Sequence, residues 1–567
     1  MSEYKSKGFS AAISLLLLAC SLQNGQAKVG GAKNYLKAGE ADIQAWREMK
    51  FGLFIHWGPV SLKGTEIGWS RGGERRGRND KSTGSIAVEV YDNLYKQFDP
   101  VKFDADEWIG LAKDAGMKYL VFTSKHHDGF SMFDSGVTDY KISNSPFKRD
   151  VVKELADACH RAGLKLGYYY SPVDWYHPDY RTENHGRYIK FMHAQLREIC
   201  SNYGKIDIIW FDGLGGSAKD WDSENLFKMI RQLQPNVIIN NRAGLAGDHD
   251  TPEQRIGKFQ NDRPWETCMT ICRQWAWKPN DQMKSLTQCI QTLVKTVGGD
   301  GNLLFNVGPM PDGRIEPRQV ERLRQMGRWL DRYGQSIYGT RGGPFKPGSW
   351  GASTHEGNDV YVHILNWPGD KLTLPAIGKR IVASSNLTGG TVRVNQTPES
   401  IEISVPQRHR REIDTIVKLQ LDGQAGDISP VSLPSASLAA GKTARASNVY
   451  RKNRHYGPDM ALDDDPATRW ATDTGTKQAW LEVDLGEVAA FDQVKIAEAY
   501  DRVRKFELQY KDGAQWKTFT EGARIGDAYS KTFGPVTARQ VRLNILESTD
   551  GPTIWEFQLM ASKKASK

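Results

Sequence analysis

Short β-favouring apolar runs alternate with longer helix-like stretches from about residue 46 to residue 338. The apolar runs are residues 51–56, 119–123, 165–170, 206–212, 236–241 and 302–307. Helix-like stretches between them include residues 105–116, 151–163, 185–203 and 224–233. This alternation is typical of βα units around a parallel sheet. It predicts an α/β fold, a (β/α)8-type barrel over residues 30–340.

The pattern changes to a period of two after residue 340. Residues 360–365 and 415–421 alternate in this way, which predicts a small antiparallel β domain over residues 341–425. A Gly-, Ser-, Ala- and Pro-rich stretch at 426–441 is typical of a linker. Residues 442–562 are again β-rich, and the Asp512-Gly513 pair between two such runs indicates a hairpin.

The composition is that of a folded, soluble protein rather than a disordered one. Hydrophobic residues make up 39% and charged residues 25% of 567 residues, a length that exceeds the needs of one core. The net charge is +9, but no basic block is interleaved with aromatic residues. We therefore expect no nucleic-acid partner. The basic excess indicates a solvated surface or a modest attraction for anionic substrates.

The first 27 residues have the pattern of a secretory signal. Lys5 and Lys7 precede an apolar stretch at 13–19, which is too short to span a membrane, and polar residues follow. The sequence Leu-Leu-Ala before Cys20 also resembles a bacterial lipobox, in which Cys20 becomes the lipidated first residue. Simple cleavage after Ala27 is the alternative. Either way we expect an exported protein, periplasmic or held in the outer membrane by a lipid anchor.

Polar and aromatic residues recur at the carboxyl ends of the apolar runs. A parallel barrel builds its active site at that end, so this recurrence predicts one shared site. The residues are His56, Trp57, His126, His127, Asp128, Tyr170, Trp210, Asp212, Asn241 and Arg242.

Asp212 is the strongest single candidate for chemistry. It follows a buried apolar run and two large aromatic residues, a fixed seat for a carboxylate that attacks a sugar. Taken alone, a helix-capping aspartate fits the same position. Glycoside hydrolysis also needs a second carboxyl group, and the candidates on the following stretch are Asp248, Asp250, Glu253 and Glu266.

The paired histidines and the aromatic residues favour sugar binding over metal binding. His126 and His127 could bind a metal, but the surrounding carboxylates and aromatics indicate contacts with sugar hydroxyls. Trp57, Trp69 and other aromatic residues offer apolar faces to pyranose C–H groups, and a deoxysugar methyl would favour such a wall.

Six ordered stretches resemble glycoside hydrolase family 29, the α-L-fucosidases, over about residues 30–425. They are FGLFIHWG (51–58), SKHHDGF (124–130), YYYS (168–171), WFDG (210–213), NNR (240–242) and GNLLFNVGP (301–309). The resemblance implies an exo-acting retaining enzyme that hydrolyses terminal α-L-fucosyl residues from glycans by double displacement. It implies no cofactor for catalysis.

The same resemblance implies roles for individual residues. Asp212 matches the nucleophile, and Glu253 matches the acid/base, with Glu266 as the fallback. The residues that match the fucose-holding positions are His56, His126, His127, Tyr170, Trp210 and Arg242. Further candidates for substrate binding are Trp57, Glu66 and Trp69.

Two features depart from the family pattern. Many members carry an adjacent Glu-Trp that meets the sugar, whereas two residues separate Glu66 from Trp69 here. The loop at 71–78 is also unusually basic; it is either solvated or meets an anionic aglycone or a sulfated sugar. Alternative substrates are therefore an α-L-galactoside and a sulfated or anionic glycan. An alternative of another class is a catalytically silent glycan-binding surface lipoprotein.

The C-terminal region, about residues 436–562, resembles the discoidin-like, galactose-binding-like β-sandwich of family 32 carbohydrate-binding modules. The matching stretches are ALDDD (461–465), TRW (468–470), WLEVDL (480–485) and IWEF (554–557). The resemblance implies that Asp463, Thr468 and Glu556 hold a structural calcium ion, which prefers oxygen ligands. The domain either binds sugar or only stabilises the fold.

Overall fold

The apolar runs of the first 340 residues form a parallel sheet, and helices separate most of its strands. The computed structural model describes residues 35–78, 83–433, 435, 437–464 and 468–561. The strands are β1 (Phe51–Ile55), β2 (Tyr119–Lys125), β3 (Lys165–Tyr170), β4 (Ile208–Phe211), β5 (Ile238–Ile239), β6 (Glu266–Thr270) and β7 (Asn302–Val307). The helices are α1 (Glu40–Met49), α2 (Val88–Tyr91), α3 (Ala105–Asp114), α4 (Val151–Ala162), α5 (His185–Asn202), α6 (Ala218–Trp221), α7 (Ser223–Leu233), α8 (Leu286–Gly298) and α9 (Pro317–Tyr333).

The sheet curves into a barrel that one irregular segment closes. Its strand order is β5-β4-β3-β2-β1-β7-β6, with every pairing parallel. Between β5 and β6, residues 240–265 are all described and contain no helix. Instead, isolated parallel bridges join Asn240 to His249 and Glu253 to Cys268. The predicted (β/α)8-type architecture is confirmed, with segment 248–254 in the remaining gap.

A buried carboxylate anchors the start of this closing segment. Asp248 accepts the backbone N–H of Ile239 at 2.7 Å and pairs with Arg231 at 2.7 Å. The segment then runs along β6, where Gln254 N–H donates to the carbonyl of Cys268 at 3.0 Å. These contacts fix the backbone on both sides of Glu253.

Strand alternation separates two apolar layers of the barrel. Inward side chains such as Phe54, Tyr169 and Trp210 pack with one another inside the ring. Outward side chains such as Tyr168 and Tyr170 pack under the helices. Burying a large side chain contributes about 1.5–3 kcal/mol, so both layers hold the strands in register.

The second unit is the predicted small antiparallel β domain, and its strands form a sandwich of two sheets. Its strands are β8 (Arg341–Gly342), β9 (Gly351–Glu356), β10 (Asp359–Ile364), β11 (Leu372–Pro375), β12 (Ile381–Asn386), β13 (Arg393–Gln396), β14 (Ser400–Ser404) and β15 (Thr415–Leu421). Sheets ordered β12-β15-β10-β9-β8 and β11-β14-β13 enclose a separate apolar core. Asp300 ties this unit to the barrel because it accepts hydrogen bonds from both Arg47 and Arg341 at 2.6 Å.

The third unit is antiparallel throughout. Its strands are β16 (Thr443–Ala446), β17 (Trp470–Ala471), β18 (Ala479–Glu498), β19 (Val503–Asp512), β20 (Gln515–Gly522), β21 (Tyr529–Ser548) and β22 (Thr553–Ala561). The order is β17-β22-β18-β21-β19-β20, with β16 paired to β18. Register shifts interrupt the pairing of β18 with β21, which lets these long strands bend around the core. Asp512 faces Gln515 across the predicted hairpin, which is therefore confirmed.

The cysteines and the helices of the described residues add two observations. All five of these cysteines are buried thiols. Across these same residues, each helix is too short or too polar to cross a membrane.

Candidate active site

Asp212 lies at the mouth of the barrel, directly after β4. Its Oδ1 accepts a hydrogen bond from Arg242 Nη1 at 3.0 Å, and its Oδ2 accepts one from Tyr169 Oη at 3.0 Å. His127 Nε2 is 3.5 Å from the same Oδ2. Burial opposes ionisation of Asp212, but Arg242 and His127 outweigh it and hold the pKa of this carboxyl below its usual value. The structure therefore holds an ionised, oriented carboxylate.

Glu253 faces Asp212 across the same arginine. Its Oε2 is 2.7 Å from Arg242 Nη1, the nitrogen that also contacts Asp212. The two carboxylate oxygens therefore lie within about 6 Å of each other. That separation suits a retaining glycosidase, whose carboxyl groups are about 5–5.5 Å apart, and is below the about 6.5–9.5 Å of inverting enzymes.

Arg242 contacts both carboxylates and is held in place by further contacts. Its Nε donates to Thr251 Oγ1 at 2.8 Å and its Nη2 donates to the Thr251 carbonyl at 2.9 Å. Its guanidinium stacks 4.8 Å from the centre of the Trp210 ring. Arg242 does not itself appear among the lining residues of the pocket, and its assignment to sugar binding stays a prediction.

A pocket in front of the two carboxylates combines aromatic, imidazole and apolar side chains. Such a wall offers apolar faces to sugar C–H groups and polar atoms to hydroxyls. Its lining residues are Phe54, His56, Trp69, His126, His127, Tyr169, Trp210, Asp212, Leu214, Glu253, Cys268 and Trp275.

The three pocket histidines are neutral at physiological pH. Burial lowers the pKa of His56 to about 3, that of His127 to about 4, and that of His126 far below its usual value. Asn306 Nδ2 donates to the Trp275 carbonyl at 2.7 Å, so Asn306 Oδ1 faces His56 Nδ1, also at 2.7 Å. His56 Nδ1 therefore carries the proton, and its Nε2 is an acceptor.

The surroundings of the pocket histidines suit hydrogen bonding rather than metal binding. Groups of three or more His, Cys, Asp or Glu side chains that could hold a metal ion are absent from the residues that the structure describes. The neighbours of His127 are instead Ser171 Oγ at 2.6 Å and the Asp212 carboxylate. This arrangement suits hydrogen bonding to sugar hydroxyls.

Glu266, the fallback acid/base, lies beneath the pocket inside the barrel. It is 1% exposed and accepts hydrogen bonds from Tyr119 Oη at 2.5 Å and Trp210 Nε1 at 3.0 Å. Burial raises its pKa to about 7. Because the Trp210 indole separates it from the pocket, Glu266 cannot reach a glycosidic oxygen. Its contact positions Trp210.

Two further assignments from the sequence are corrected by strand geometry. Tyr170 points outward and donates to Gln195 Oε1 at 2.8 Å, whereas Tyr169, one residue earlier, faces Asp212. Trp57 is 1% exposed and donates through Nε1 to the Met310 carbonyl at 3.1 Å. Neither Tyr170 nor Trp57 lines the pocket.

Glu66 does not line the pocket itself but holds Trp275, which does. Both its carboxylate oxygens accept the backbone N–H of Trp275, at 3.1 and 3.2 Å. Burial raises the pKa of Glu66 to about 7. Trp69, three residues on, does line the pocket, so the changed Glu-Trp spacing leaves the tryptophan in place and makes the glutamate a positioning residue for Trp275.

The basic loop at 71–78 is mostly engaged within the protein. Arg71 pairs with Asp92 at 2.6 Å, and Arg75 donates to the Trp69 carbonyl at 2.6 Å. Arg76 donates to backbone carbonyls, and the Arg78 guanidinium lies 4.9 Å from the Trp69 ring centre. The loop thus supports the wall formed by Trp69.

Several lining residues were missed in the sequence, for two different reasons. Tyr169 pairs in register with Trp210, so counting alternate positions along β3 would have found it. Phe54 follows the same inward parity on β1. Trp275 and Leu214 lie on loops, where no periodicity marks the inward side.

An ionised carboxylate opposite a partly exposed one, beside a wall of aromatic and imidazole groups, is the arrangement of a glycoside hydrolase. Comparisons with known proteins specify which one. A family model described as alpha-L-fucosidase matches residues 18–335, and one described as F5/8 type C domain matches residues 443–557. The chain belongs to the α-L-fucosidase family, with a C-terminal F5/8 type C (discoidin-like) domain.

Individual relatives agree with this assignment. The plasma alpha-L-fucosidase of Rattus norvegicus is 32% identical over 364 residues, which cover 58% of this chain and 78% of that protein. The tissue alpha-L-fucosidase of Bos taurus is 33% identical over 360 residues, covering 58% and 75%.

Solved structures share the fold of the first two units. Alpha-L-fucosidase isoenzyme 1 from Paenibacillus thiaminolyticus superposes with a TM-score of 0.62 and 35% identity, covering 68% of this chain and 99% of that one. A Bacteroides thetaiotaomicron alpha-L-fucosidase of family GH29, described as a trapped covalent intermediate with 2-fluoro-fucosyl fluoride, gives 0.60 and 28%, covering 69% and 99%.

Proposed function

We propose that this chain is an exo-acting retaining α-L-fucosidase that removes terminal α-L-fucosyl residues from glycans. The observation that carries the proposal is the shared contact of Asp212 and Glu253 with one arginine nitrogen. This contact supports the roles of Asp212 as nucleophile and Glu253 as acid/base, because their oxygens lie within the short separation that double displacement requires. The family assignment and the fucosidase relatives support the choice of sugar.

The proposed reaction runs in two displacement steps. Asp212 Oδ attacks the anomeric carbon while Glu253 donates its proton to the departing glycosidic oxygen, which forms a glycosyl-enzyme ester. Glu253, now ionised, then takes a proton from water as the water oxygen attacks the same carbon. The ester bond to Asp212 breaks, and fucose leaves with its original configuration.

Proton NMR of the first product tests this mechanism. The enzyme is mixed with an aryl α-L-fucoside, and the anomeric signals are recorded before mutarotation. We expect α-L-fucose to form first. Initial release of β-L-fucose would contradict the retaining mechanism, and no release of fucose would contradict the proposed activity.

The apolar lining favours a 6-deoxysugar over an α-L-galactoside. Phe54, Trp69, Leu214 and Trp275 leave few groups to replace the water lost by an added hydroxyl. Rates on aryl α-L-fucoside and aryl α-L-galactoside, measured side by side, test this preference. A faster reaction with the galactoside would overturn it.

A second candidate is the same reaction on a glycan with an anionic substituent. Arg76, Arg78 and Arg181 line a small cavity of about 40 Å³ that shares Leu214 with the catalytic pocket. Guanidinium groups bind sulfate bidentately. Comparison of a sulfated fucoside with its unsulfated parent tests this candidate, and an equal or lower kcat/KM for the sulfated compound counts against it.

We also propose a structural calcium ion in the third unit. Thr468 Oγ1 lies 2.7 Å from Asp463 Oδ1 and 3.1 Å from the Met460 carbonyl, so oxygen donors of the kinds that calcium prefers are gathered there. Gln558, two residues beyond Glu556 on β22, donates to Asp464 at 2.9 Å and so brings that strand to the loop. These residues fit a calcium ion.

Thermal unfolding with and without chelator tests the calcium proposal. At a hundredfold excess over its Kd, a bound ion stabilises by about 2.7 kcal/mol, so added calcium should raise the Tm. Asp463→Asn should abolish the rise. An unchanged Tm in the parent chain would refute the site.

We propose further that the chain is exported and carries a lipid on Cys20. The residues behind this proposal lie outside the described part of the chain. Cleavage after Ala27 is the competing outcome. Membrane fractionation of the wild type and of Cys20→Ala distinguishes them, because only the lipidated protein should move from the membrane to the soluble fraction upon substitution.

A further inference from the structure

A cavity of about 530 Å³ lies where the three units of the chain meet. We call it the junction cavity. The barrel contributes Gln254, Lys258 and Phe259, the second unit contributes Lys346, and the third contributes Trp555. Its volume is within the range of about 300–1,000 Å³ that small-ligand sites occupy. It is therefore large enough to hold part of an oligosaccharide.

Only one strand ladder separates this cavity from the catalytic pocket. Glu253 lines the catalytic pocket, and the next residue, Gln254, lines the junction cavity. On the neighbouring strand, Cys268 lines the pocket and Met269 lines the cavity. The cavity therefore lies immediately behind the acid/base.

The leaving group lies beside the same acid/base that this ladder carries. Glu253 has to contact the glycosidic oxygen in order to protonate it, so the sugar on the far side of that oxygen starts next to Glu253. A chain that continues from this point over the edge of the ladder would reach the junction cavity.

The lining has the chemistry of a carbohydrate site. Trp555 is partly buried, and its ring centre lies 4.8 Å from the Arg469 guanidinium. Lys346 Nζ lies 5.5 Å from the centre of the Phe259 ring. Aromatic faces suit sugar C–H groups, and ammonium groups donate to hydroxyls. The ion pair of Lys258 with Asp463, at 3.1 Å, joins the barrel to the third unit across this site.

We propose that the junction cavity binds the leaving oligosaccharide, and that Trp555 of the F5/8 type C domain is a stacking surface for one of its sugars. The domain thereby forms part of the substrate cleft of the barrel, in addition to any sugar it binds alone. This inference rests on the proposed fucosidase function.

The test compares two substrates and two tryptophans in the full chain. Trp555→Ala should lower kcat/KM about tenfold for a fucosylated oligosaccharide, mainly through KM, and leave an aryl α-L-fucoside unchanged. Trp516→Ala is the matched control. Trp516 is also partly buried and lies 4.1 Å from the guanidinium of Arg542, but it does not line the cavity. We expect its substitution to change neither substrate.

A second variant tests the junction cavity even if Trp555→Ala fails to fold. Ser432 is an exposed lining residue, so Ser432→Trp fills the cavity without removing a buried contact. It should likewise reduce activity on the oligosaccharide alone. If the parent hydrolyses both substrates and these variants affect them equally or not at all, the junction cavity is not a substrate site. If the parent hydrolyses neither substrate, the proposed function fails and this inference falls with it.

Discussion

The two carboxylates proposed to act in catalysis, Asp212 and Glu253, lie in contrasting surroundings. The Asp212 side chain is 13% exposed and follows a strand, with contacts from Arg242, Tyr169 and His127. The Glu253 side chain is 41% exposed and is carried by the irregular segment that closes the barrel. A nucleophile must stay ionised and fixed, whereas an acid/base must exchange protons with water. The difference in burial and support matches this division of work.

The largest effect should come from Asp212→Asn, which removes the nucleophile with little change in shape. We expect kcat on an aryl α-L-fucoside to fall by about 10⁴-fold or more. Asp250→Asn is the control, since Asp250 is a nearby carboxylate paired with Arg263 at 2.8 Å and does not line the pocket. Substantial activity in Asp212→Asn would contradict the assignment of Asp212 as the nucleophile.

Glu253→Gln should show an effect that depends on the leaving group. Loss of the proton donor should reduce kcat/KM for an oligosaccharide by about 10²–10⁴-fold, and much less for an aryl fucoside with an acidic phenol. Glu266→Gln separates the two candidates, because it disturbs the bonds to Tyr119 and Trp210 and should act alike on both substrates. The reverse pattern would make Glu266 the acid/base.

Arg242→Ala should change the pH profile as well as the rate. Arg242 lowers the pKa of the buried Asp212, so without it that pKa should rise. The acid limb of kcat/KM, where Asp212 becomes protonated, should therefore move to higher pH. Arg242→Lys keeps the charge and should move the limb less. An acid limb that stays in place would show that Arg242 does not control ionisation of Asp212.

The smallest effects should distinguish the two neighbouring tyrosines. Tyr169→Phe removes a hydrogen bond to the Asp212 carboxylate, worth about 1.5–3 kcal/mol, and should lower kcat about tenfold or more. Tyr170→Phe leaves the buried Gln195 Oε1 without its donor, so urea unfolding should show a loss of about 1–3 kcal/mol at normal kcat. If Tyr170→Phe lowered kcat and Tyr169→Phe lowered only stability, Tyr170 rather than Tyr169 would belong to the active site.

The contrast also explains what the sequence could predict. The alternation of strand-like and helix-like stretches predicted the barrel. The position of Asp212 at the end of a strand could also be predicted, because a buried apolar run that ends in a polar residue is visible in the local sequence. Glu253 depended on the family resemblance, since the backbone around it is held by distant partners such as Asp248 and Cys268. The Tyr170 error came from one step in strand parity, which sends a side chain to the opposite face.

Azide rescue tests the central claim most directly, because the anomer of the product identifies the missing carboxylate. With an activated aryl α-L-fucoside, azide should enter the space left in Asp212→Gly and give the β-L-fucosyl azide. In Glu253→Gly, azide should attack the glycosyl-enzyme and give the α anomer. That pair of products would establish Asp212 as nucleophile and Glu253 as acid/base. Full activity of Asp212→Gly without azide, or the α anomer from that variant, would contradict the account.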